Sequence, residues 1–224
     1  MRKRFNSFTL AEVLITLGII GIVAAMTLPG VMYRYRKTEI ETRLKRVYSI
    51  MNQAVLQSIA KDTWSQPPTD KRYDNDALLE WMQIALLPYL NNVEIAKNQT
   101  APFLPSGRLR IKLNDGSTLY FDNNAQIHVN LDINGDKKPN KGGIDLFYFF
   151  LDFKNSGRGY FYPSGYAYSN LGHKDTYTDN YVYGNREGMI KYCRSKVREA
   201  GNTCALLIMY DGWKIEKDYP INFK

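Results

Sequence analysis

The sequence predicts an α+β fold in which a long N-terminal helix packs on an antiparallel β-sheet head. Residues 13–33 carry no charge, and residues 34–61 continue with apolar side chains at helical spacing. Beyond residue 108 the apolar spacing changes from the helical period to the alternation of β-strands. The 224 residues leave, after such a helix, enough chain for one globular head with its own core.

The N-terminal stretch combines a basic leader, Met1-Arg2-Lys3-Arg4, with an uncharged segment long enough to cross the hydrocarbon core of a bilayer. One acid, Glu12, lies near the start of this segment. A carboxylate in an apolar span costs roughly 2.5–3.5 kcal/mol on insertion scales unless it finds a partner. An ordinary membrane anchor and a secretory signal peptide cleaved near Val23-Ala24-Ala25 are the alternatives, and neither explains Glu12.

The run Ser7-Phe8-Thr9-Leu10-Ala11-Glu12, followed by an unbroken apolar helix, resembles the class III signal of type IV prepilins and type II secretion pseudopilins. The resemblance implies cleavage by prepilin peptidase between Ser7 and Phe8 and methylation of the new amine. Ser7 departs from the family, which usually has Gly there. Glu12 would pair with the Phe8 amine of a neighbouring subunit, and this pairing favours assembly because it neutralises both charges.

The same resemblance implies a structural subunit, not an enzyme: a pilin or pseudopilin of a type II secretion pseudopilus or a related type IV filament. A type IV pilus or DNA-uptake minor pilin and a membrane-anchored periplasmic binding protein are the alternatives. The implied partners are other pilin or pseudopilin subunits, prepilin peptidase and an assembly platform in the inner membrane. The protein would cross the bacterial inner membrane once, with its head in the periplasm or on an extracellular filament.

Four segments follow from this interpretation: a leader at 1–7, a transmembrane or filament-core helix half at 8–33, an amphipathic helix half at 34–61, and the head at 62–224. Pro29 and Gly30 form the predicted hinge, because proline removes one helical hydrogen bond and glycine is a poor helix former. Glu39 with Arg43, and Glu41 with Lys45, are spaced to stabilise the exposed helix face. The positions predicted to face the core are Ile40, Leu44, Val47, Met51, Ala54 or Val55, and Ser58 or Ile59.

The head begins with a loop at 65–70 and a second helix capped by Asn75 or Asp76 and stopped by Pro88. An irregular segment is predicted from there to Pro105. Three antiparallel strands follow at 109–113, 118–122 and 126–131. A fourth strand, at 146–151, is a continuous apolar run of the kind that is buried on both faces.

The C-terminal third contains a segment rich in Gly and Tyr, 157–188, which we expect to be a long surface loop. Its tyrosines would either form a recognition surface or pack on the head or the next subunit. Residues 187–200 are predicted to be helical and residues 204–210 to form a short apolar strand. The ending, from Cys204 to Ile215, is similar to the C-terminal segment of many pseudopilin-like proteins.

The two cysteines, Cys193 and Cys204, suit an exported protein in which they pair as a disulfide. The bond would close a short loop and stabilise the head by roughly 2–3 kcal/mol. A metal-binding pair and two free thiols are the alternatives. The spacing is unlike the Cys-x-x-Cys pair of redox enzymes.

A loop of Asp, Asn and Gly residues follows the third predicted strand and carries side-chain oxygens at spacings typical of short calcium loops. The candidate ligands are Asp132, Asn134, Asp136, Asn140 and Asp145. It is not an EF-hand, and Lys137 and Lys138 oppose a cation. The resemblance supports calcium, because major pseudopilins hold calcium in a loop of the head. The alternative is a turn whose side chains bond their own backbone.

The net charge of +8 falls to +5 when Arg2, Lys3 and Arg4 leave with the leader. A basic balance of this size is compatible with nucleic acid, but the cations are scattered, which favours a solvated surface. Arg34, Arg36 and Lys37 follow the uncharged segment, so the flanking charges do not set its orientation. His128 and His173 lie outside any catalytic or zinc-binding spacing, and the sequence predicts no enzyme.

Overall fold

The computed structural model describes residues 9–68, 70–71, 73–100, 107–124, 126–135, 137–152, 160–164, 185–194 and 203–223. The chain divides into two compact units. The first comprises Met1–Glu39 with Phe223–Lys224, and the second comprises Ile40–Asn222.

Helix α1, Leu10–Ala60, confirms the predicted long N-terminal helix and begins in the first unit. Its apolar side chains there are exposed: Leu14, Ile15 and Ile20 each leave about 60% of their surface open. The helix runs through Pro29 without interruption. Any loosening at Pro29 and Gly30 therefore remains a prediction for the assembled state.

The second unit contains the rest of α1, and here one face of the helix is buried. The buried positions confirm the helical spacing predicted from the sequence: Ile40, Leu44, Val47, Met51, Ala54, Val55 and Ser58. Asn52 ties the helix to the sheet, because its side chain accepts from the Phe161 N–H (3.1 Å) and donates to the Phe161 carbonyl (2.9 Å). Burying such a stripe supplies most of the stability of an amphipathic helix.

Helix α2, Asn75–Ala85, begins one residue earlier than predicted, because its cap is Asp74 and not Asn75 or Asp76. The Asp74 carboxylate accepts from the N–H groups of Asp76 and Ala77, both at 3.0 Å. Pro88 lies in a short 3₁₀ turn, Leu87–Tyr89, that follows the helix. Proline therefore stops the helix as expected.

The described residues form one sheet of six antiparallel strands in chain order. The strands are β1 (Glu94–Gln99), β2 (Arg108–Lys112), β3 (Thr118–Asn124), β4 (Gln126–Asp132), β5 (Leu146–Leu151) and β6 (Phe161–Pro163). Four of the five predicted strands are confirmed as β2 to β5. Strands β1 and β6 were not predicted: β1 lies in the segment expected to be irregular, and β6 lies in the segment expected to be a surface loop.

The two faces of the sheet differ in burial. Leu109, Phe121, Val129 and Phe149 pair across four strands and are completely buried. The neighbouring row on the opposite face is polar or aromatic and consists of Arg110, Tyr120, Asn130 and Tyr148. Strand β5 alternates between half-buried and buried residues, so the prediction that it is buried on both faces was wrong. An apolar run shows that one face is covered but cannot show whether both are.

Two short helices complete the second unit. Helix α3 spans Arg186–Arg194 and agrees with the first half of the predicted helix, whose remainder lies outside the described residues. Helix α4 spans Cys204–Tyr210, where a strand was predicted. That prediction was wrong because a short apolar run has the same pattern in a buried helix and in a buried strand. Here Ala, Leu and Met are strong helix formers, and five consecutive residues from Cys204 are buried.

Candidate functional site

The start of α1 is built around a reciprocal pair of hydrogen bonds between Thr9 and Glu12. The Thr9 N–H and the Thr9 hydroxyl both donate to Glu12 Oε2 at 2.8 Å. In return, the Glu12 N–H donates to the Thr9 hydroxyl at 3.3 Å. This is a capping box, which satisfies two N–H groups that the first turn of a helix leaves unpaired.

The capping box gives Thr9 a role that the sequence reasoning missed. The signal was present in the sequence, because Thr-Leu-Ala-Glu has the Ser/Thr-x-x-Glu spacing of such a box. Glu12 is thereby held at the helix start with its charge already hydrogen-bonded. Ser7 and Phe8 lie outside the described residues, so the Glu12 to Phe8 amine pairing stays a prediction.

Beyond Glu12 the first unit presents an apolar surface on all sides of the helix. Every residue from Leu10 to Arg36 is exposed except Ala24, which is half-buried. Within the part of the chain that the structure describes, α1 is the one helix long and apolar enough to cross a membrane. An exposed apolar surface of this extent is typical of a segment that contacts a membrane or another protein.

Basic and aromatic residues follow directly at the end of this span. The Tyr33 and Phe223 rings meet edge to face with centroids 5.7 Å apart. Arg36 Nη1 donates to the Phe223 carbonyl at 3.0 Å. The last described residue of the chain is therefore held against the helix inside the first unit.

The predicted disulfide is present in the second unit and joins α3 to α4. Cys193 and Cys204 are both fully buried, with an S–S distance of 2.00 Å and Cα atoms 4.7 Å apart. The Thr203 hydroxyl donates to the Met189 carbonyl at 3.0 Å and adds a second link between the same helices. Gly143 packs directly on the bond: a Cβ there would lie 2.7 Å from Cys204 Sγ.

The candidate calcium loop is closed by its own hydrogen bonds. Asp145 is buried, and its carboxylate accepts from the N–H groups of Asn140 (2.7 Å) and Lys141 (2.5 Å) and from Asn134 Nδ2 (3.1 Å). Asp132 Oδ1 accepts from the Asn134 N–H at 3.1 Å. These contacts are those of the alternative interpretation, a turn that bonds its own backbone.

The remaining ligand candidates leave the calcium prediction open. The Asn140 amide is oriented so that its Nδ2 donates to Asp132 Oδ2 (3.3 Å) and to the Lys137 carbonyl (3.2 Å). Asn134 Oδ1 is buried and accepts no hydrogen bond within the described residues. Asp136 lies outside them. In the described ranges, no three His, Cys, Asp or Glu side chains are grouped so as to hold a metal.

Ion pairs fix the C-terminal tail to the second unit. Arg186 pairs with both oxygens of Asp211 (2.7 and 2.9 Å) and both oxygens of Asp218 (2.5 and 2.7 Å). The hydrogen bond from Arg186 holds the pKa of Asp218 below its ordinary value of 3.8. The same bonds raise the pKa of Arg186, so the guanidinium stays charged.

Helix α1 also holds the tail, through Glu41, for which the sequence predicted a different partner. Glu41 was predicted to pair with Lys45 along the helix, but its Oε1 accepts from the Ile215 N–H at 2.8 Å. Its Oε2 accepts from Lys214 Nζ at 3.4 Å. Glu41 is only 7% exposed and faces the tail, whereas Lys45 is exposed to solvent. The Glu41 carboxylate therefore bonds the tail and not Lys45.

The one histidine within the described ranges, His128, packs among aromatic side chains. His128 lies in β4, where its ring contacts Tyr148 and Phe150 and its Nδ1 shares a hydrogen bond with the Tyr148 hydroxyl. His173 lies outside the described residues. The aromatic contacts of His128 are those of a side chain packed on a sheet face.

Comparisons with known proteins agree with the geometry of the helix start. Residues 2–28 match the model of the prokaryotic N-terminal methylation motif, which covers Ser7, Phe8 and Glu12. Residues 30–223 match the model of a family of unknown function, DUF6613. A search of curated proteins and a search of solved structures found no match. The chain therefore carries a type IV pilin-like prepilin signal, and its long helix and antiparallel sheet have the type IV pilin-like architecture.

Proposed function

Because the chain belongs to the DUF6613 family of unknown function and begins with a prepilin-type signal, we propose that it is a structural subunit of a type II secretion pseudopilus or a related type IV filament. The observation that carries this proposal is the first unit. It presents an apolar helix, exposed on all sides, with a single hydrogen-bonded acid at its start.

The exposed helix supports an assembly function because its apolar surface has to be shielded from water both before and after assembly. Before assembly the bilayer covers it, since residues 13–33 are uncharged and long enough to span. After assembly the equivalent helices of neighbouring subunits replace the lipid. Helices that leave the membrane as a bundle keep their apolar surface away from water throughout.

Glu12 supports assembly because its carboxylate has two alternative partners. In the single chain, the Thr9 N–H and hydroxyl satisfy one of its oxygens. In the filament, the methylated amine of Phe8 on a neighbouring subunit would neutralise the charge completely. An ion pair in an apolar surrounding is far better than either charge alone, so the exchange favours subunit contact.

The second unit supports the role of a displayed head. Its helices and tail are fastened to one another by the Cys193–Cys204 disulfide, the Arg186 ion pairs and the Glu41 contacts. A rigid head on an exposed apolar helix is what a filament subunit requires.

Processing of the N-terminus tests this proposal. We expect the protein isolated from its own host to begin at Phe8 and to carry one methyl group on the new amine, as measured by intact mass and N-terminal peptide analysis. A chain that retains Met1, or that begins after Val23-Ala24-Ala25, would contradict the proposal. The first result would indicate an ordinary anchor and the second a secretory signal peptide.

A further inference from the structure

We infer that residues 33–37 form a collar that binds the phosphate headgroups of anionic phospholipids. The collar consists of Tyr33, Arg34, Tyr35, Arg36 and Lys37. The inference rests on the membrane insertion included in the proposed function, and it assigns a lipid partner to residues that the prepilin signal does not cover.

The collar surrounds the helix instead of lying along one face. Successive helical residues are rotated by about 100°, so Arg34, Arg36 and Lys37 point in three different directions. With a rise of about 1.5 Å per residue, all three cations lie within about 5 Å along the helix axis. A solvated helix face would place its charges in a stripe along the axis, whereas a membrane interface requires them at one depth.

The collar lies at the depth where headgroups are expected. Residues 13–33 contain 21 uncharged positions, and at about 1.5 Å per residue they cover about 30 Å, the thickness of a hydrocarbon core. Thr9 and Glu12 then mark one boundary and the collar marks the other. Between Glu12 and Glu39 the sequence contains no acidic residue, so the charged residues within this stretch are all basic.

The side chains of the collar suit lipid phosphates. Tyr33 and Tyr35 are 41% and 63% exposed, and tyrosine is enriched where a membrane meets water. Arg34 and Arg36 are exposed as well. A guanidinium binds a phosphate through two parallel N–H donors, which makes arginine well suited to a phosphodiester.

The end of the chain organises the collar. Phe223 is 4% exposed, packs its ring against Tyr33 and accepts a hydrogen bond from Arg36 Nη1. These two contacts reduce the rotamer freedom that Tyr33 and Arg36 would otherwise lose when a lipid binds. Preorganisation of this kind strengthens binding.

Lipid selection by the full-length chain tests the inference. The protein, purified in mild detergent, is mixed with equal amounts of the anionic lipid POPG and the zwitterionic lipid POPC, and retained lipids are counted by native mass spectrometry. We expect the wild-type chain to retain POPG preferentially. An anionic surface contributes roughly a factor of five per basic residue, so Arg34→Gln with Arg36→Gln should lower the preference by at least about fivefold.

Two control variants make the test specific. Lys45→Gln with Lys61→Gln removes the same charge from exposed positions outside the collar and should keep the preference. Arg34→Lys with Arg36→Lys keeps the positive charge and should retain most of the preference for POPG. The inference is overturned if the wild-type chain shows no preference, if the Arg→Gln pair selects POPG as the wild type does, or if the Lys→Gln control loses the preference equally.

The outcome is separable from that of the proposed function. Cleavage before Phe8 and recovery in the membrane fraction are measured for the same variants. If the chain is processed and inserted but does not select POPG, the collar inference fails and the filament proposal stands. If the chain is neither processed nor inserted, the proposed function itself fails.

Discussion

At the scale of single residues, Thr9 and Glu12 show how one acid is accommodated in an apolar helix. The carboxylate lies in the first turn, where the helix dipole and the unpaired N–H groups favour a negative charge. Thr9 supplies both an N–H and a hydroxyl to the same oxygen. The chain therefore carries Glu12 as a hydrogen-bonded charge at the start of its apolar helix.

Gly143 is the residue whose substitution should disturb the head most specifically. Its φ of +76° lies in the left-handed region, and a Cβ would lie 2.7 Å from Cys204 Sγ. Gly143→Ala should destabilise the chain by about 2–5 kcal/mol, because backbone strain and overpacking add. Thermal melting of the full-length chain in detergent measures the loss.

Gly212→Ala is the matched control for Gly143→Ala. Gly212 has a similar φ of +71°, but an added Cβ would meet no atom within 4 Å. It should therefore cost only the backbone strain, about 1 kcal/mol. Equal melting temperatures for the two variants would show that contact with the disulfide contributes nothing.

Asp218 gives the head an acid-sensitive link. Because the hydrogen bond from Arg186 lowers the folded-state pKa of Asp218 below 3.8, its contribution to stability is present above that value and is lost as the pH falls below it. Asp218→Asn should lower the melting temperature at about pH 7, and the difference from the wild type should shrink progressively as the pH falls below 3.8.

Asp62→Asn is the control for Asp218→Asn, because it removes one carboxylate from another exposed position. Melting curves recorded across the same pH range decide between the two outcomes. If Asp218→Asn and wild-type chains differ by the same amount at both ends of the range, the link to Arg186 does not depend on ionised Asp218.

At the scale of secondary structure, the sequence predicted those elements whose burial pattern is regular. Helix α1 was predicted to within two residues at its start and one at its end. In its second half, Ile40, Leu44, Val47 and Met51 repeat at helical spacing and are all buried. Strands β2 to β4 alternate and were found for the same reason. In these elements the local pattern and the tertiary contacts agree.

The elements that were missed depend on contacts distant in sequence. Strand β1, Glu94–Gln99, is largely exposed and gains its conformation by pairing with β2. Strand β6, Phe161–Pro163, is three residues long and pairs with β5 at the other edge. Neither edge strand has enough apolar residues to produce a pattern, so propensity alone could not identify it.

The loop at 132–145 makes a prediction of its own, because calcium is proposed there. We expect calcium to raise the melting temperature of the full-length chain and a chelator to lower it. A free calcium concentration of about 100 times the dissociation constant would add about 2.7 kcal/mol to the free energy of unfolding. Asp136→Asn should abolish the response. An unchanged midpoint would mean that the hydrogen bonds of Asp145 alone hold the loop.

At the scale of the whole molecule, the two units differ in what surrounds their apolar side chains. The second unit buries its own, from α1 through the sheet to α4. The first unit leaves side chains such as Leu14, Ile20 and Leu28 more than half exposed. Within the described residues, the apolar side chains of the first unit are therefore exposed where those of the second are buried, which is the difference on which the filament proposal rests.

The candidate site could be predicted only in part from the sequence. The disulfide of Cys193 and Cys204 was predicted from their number and compartment and is present. The roles of Phe8 and Glu12 were assigned from their place in the signal and stay predictions. Thr9 was missed although its spacing was visible. The tail contacts of Arg186 and Glu41 could not have been predicted, because their partners lie 25 to 174 positions away in sequence.

Assembly of a Glu12→Ala variant tests the central claim, that the N-terminal helix drives subunits into a filament, most directly. The measurement compares cleavage before Phe8 with the amount of protein recovered in sheared or crosslinked filaments, beside Glu12→Gln. We expect Glu12→Ala to be inserted and cleaved but to assemble at least about tenfold less, since the unpaired amine of Phe8 then stays in an apolar surrounding. Glu12→Gln should also fail, because its amide keeps the shape but not the charge. Filaments at the wild-type level from the Glu12→Ala chain would contradict the account.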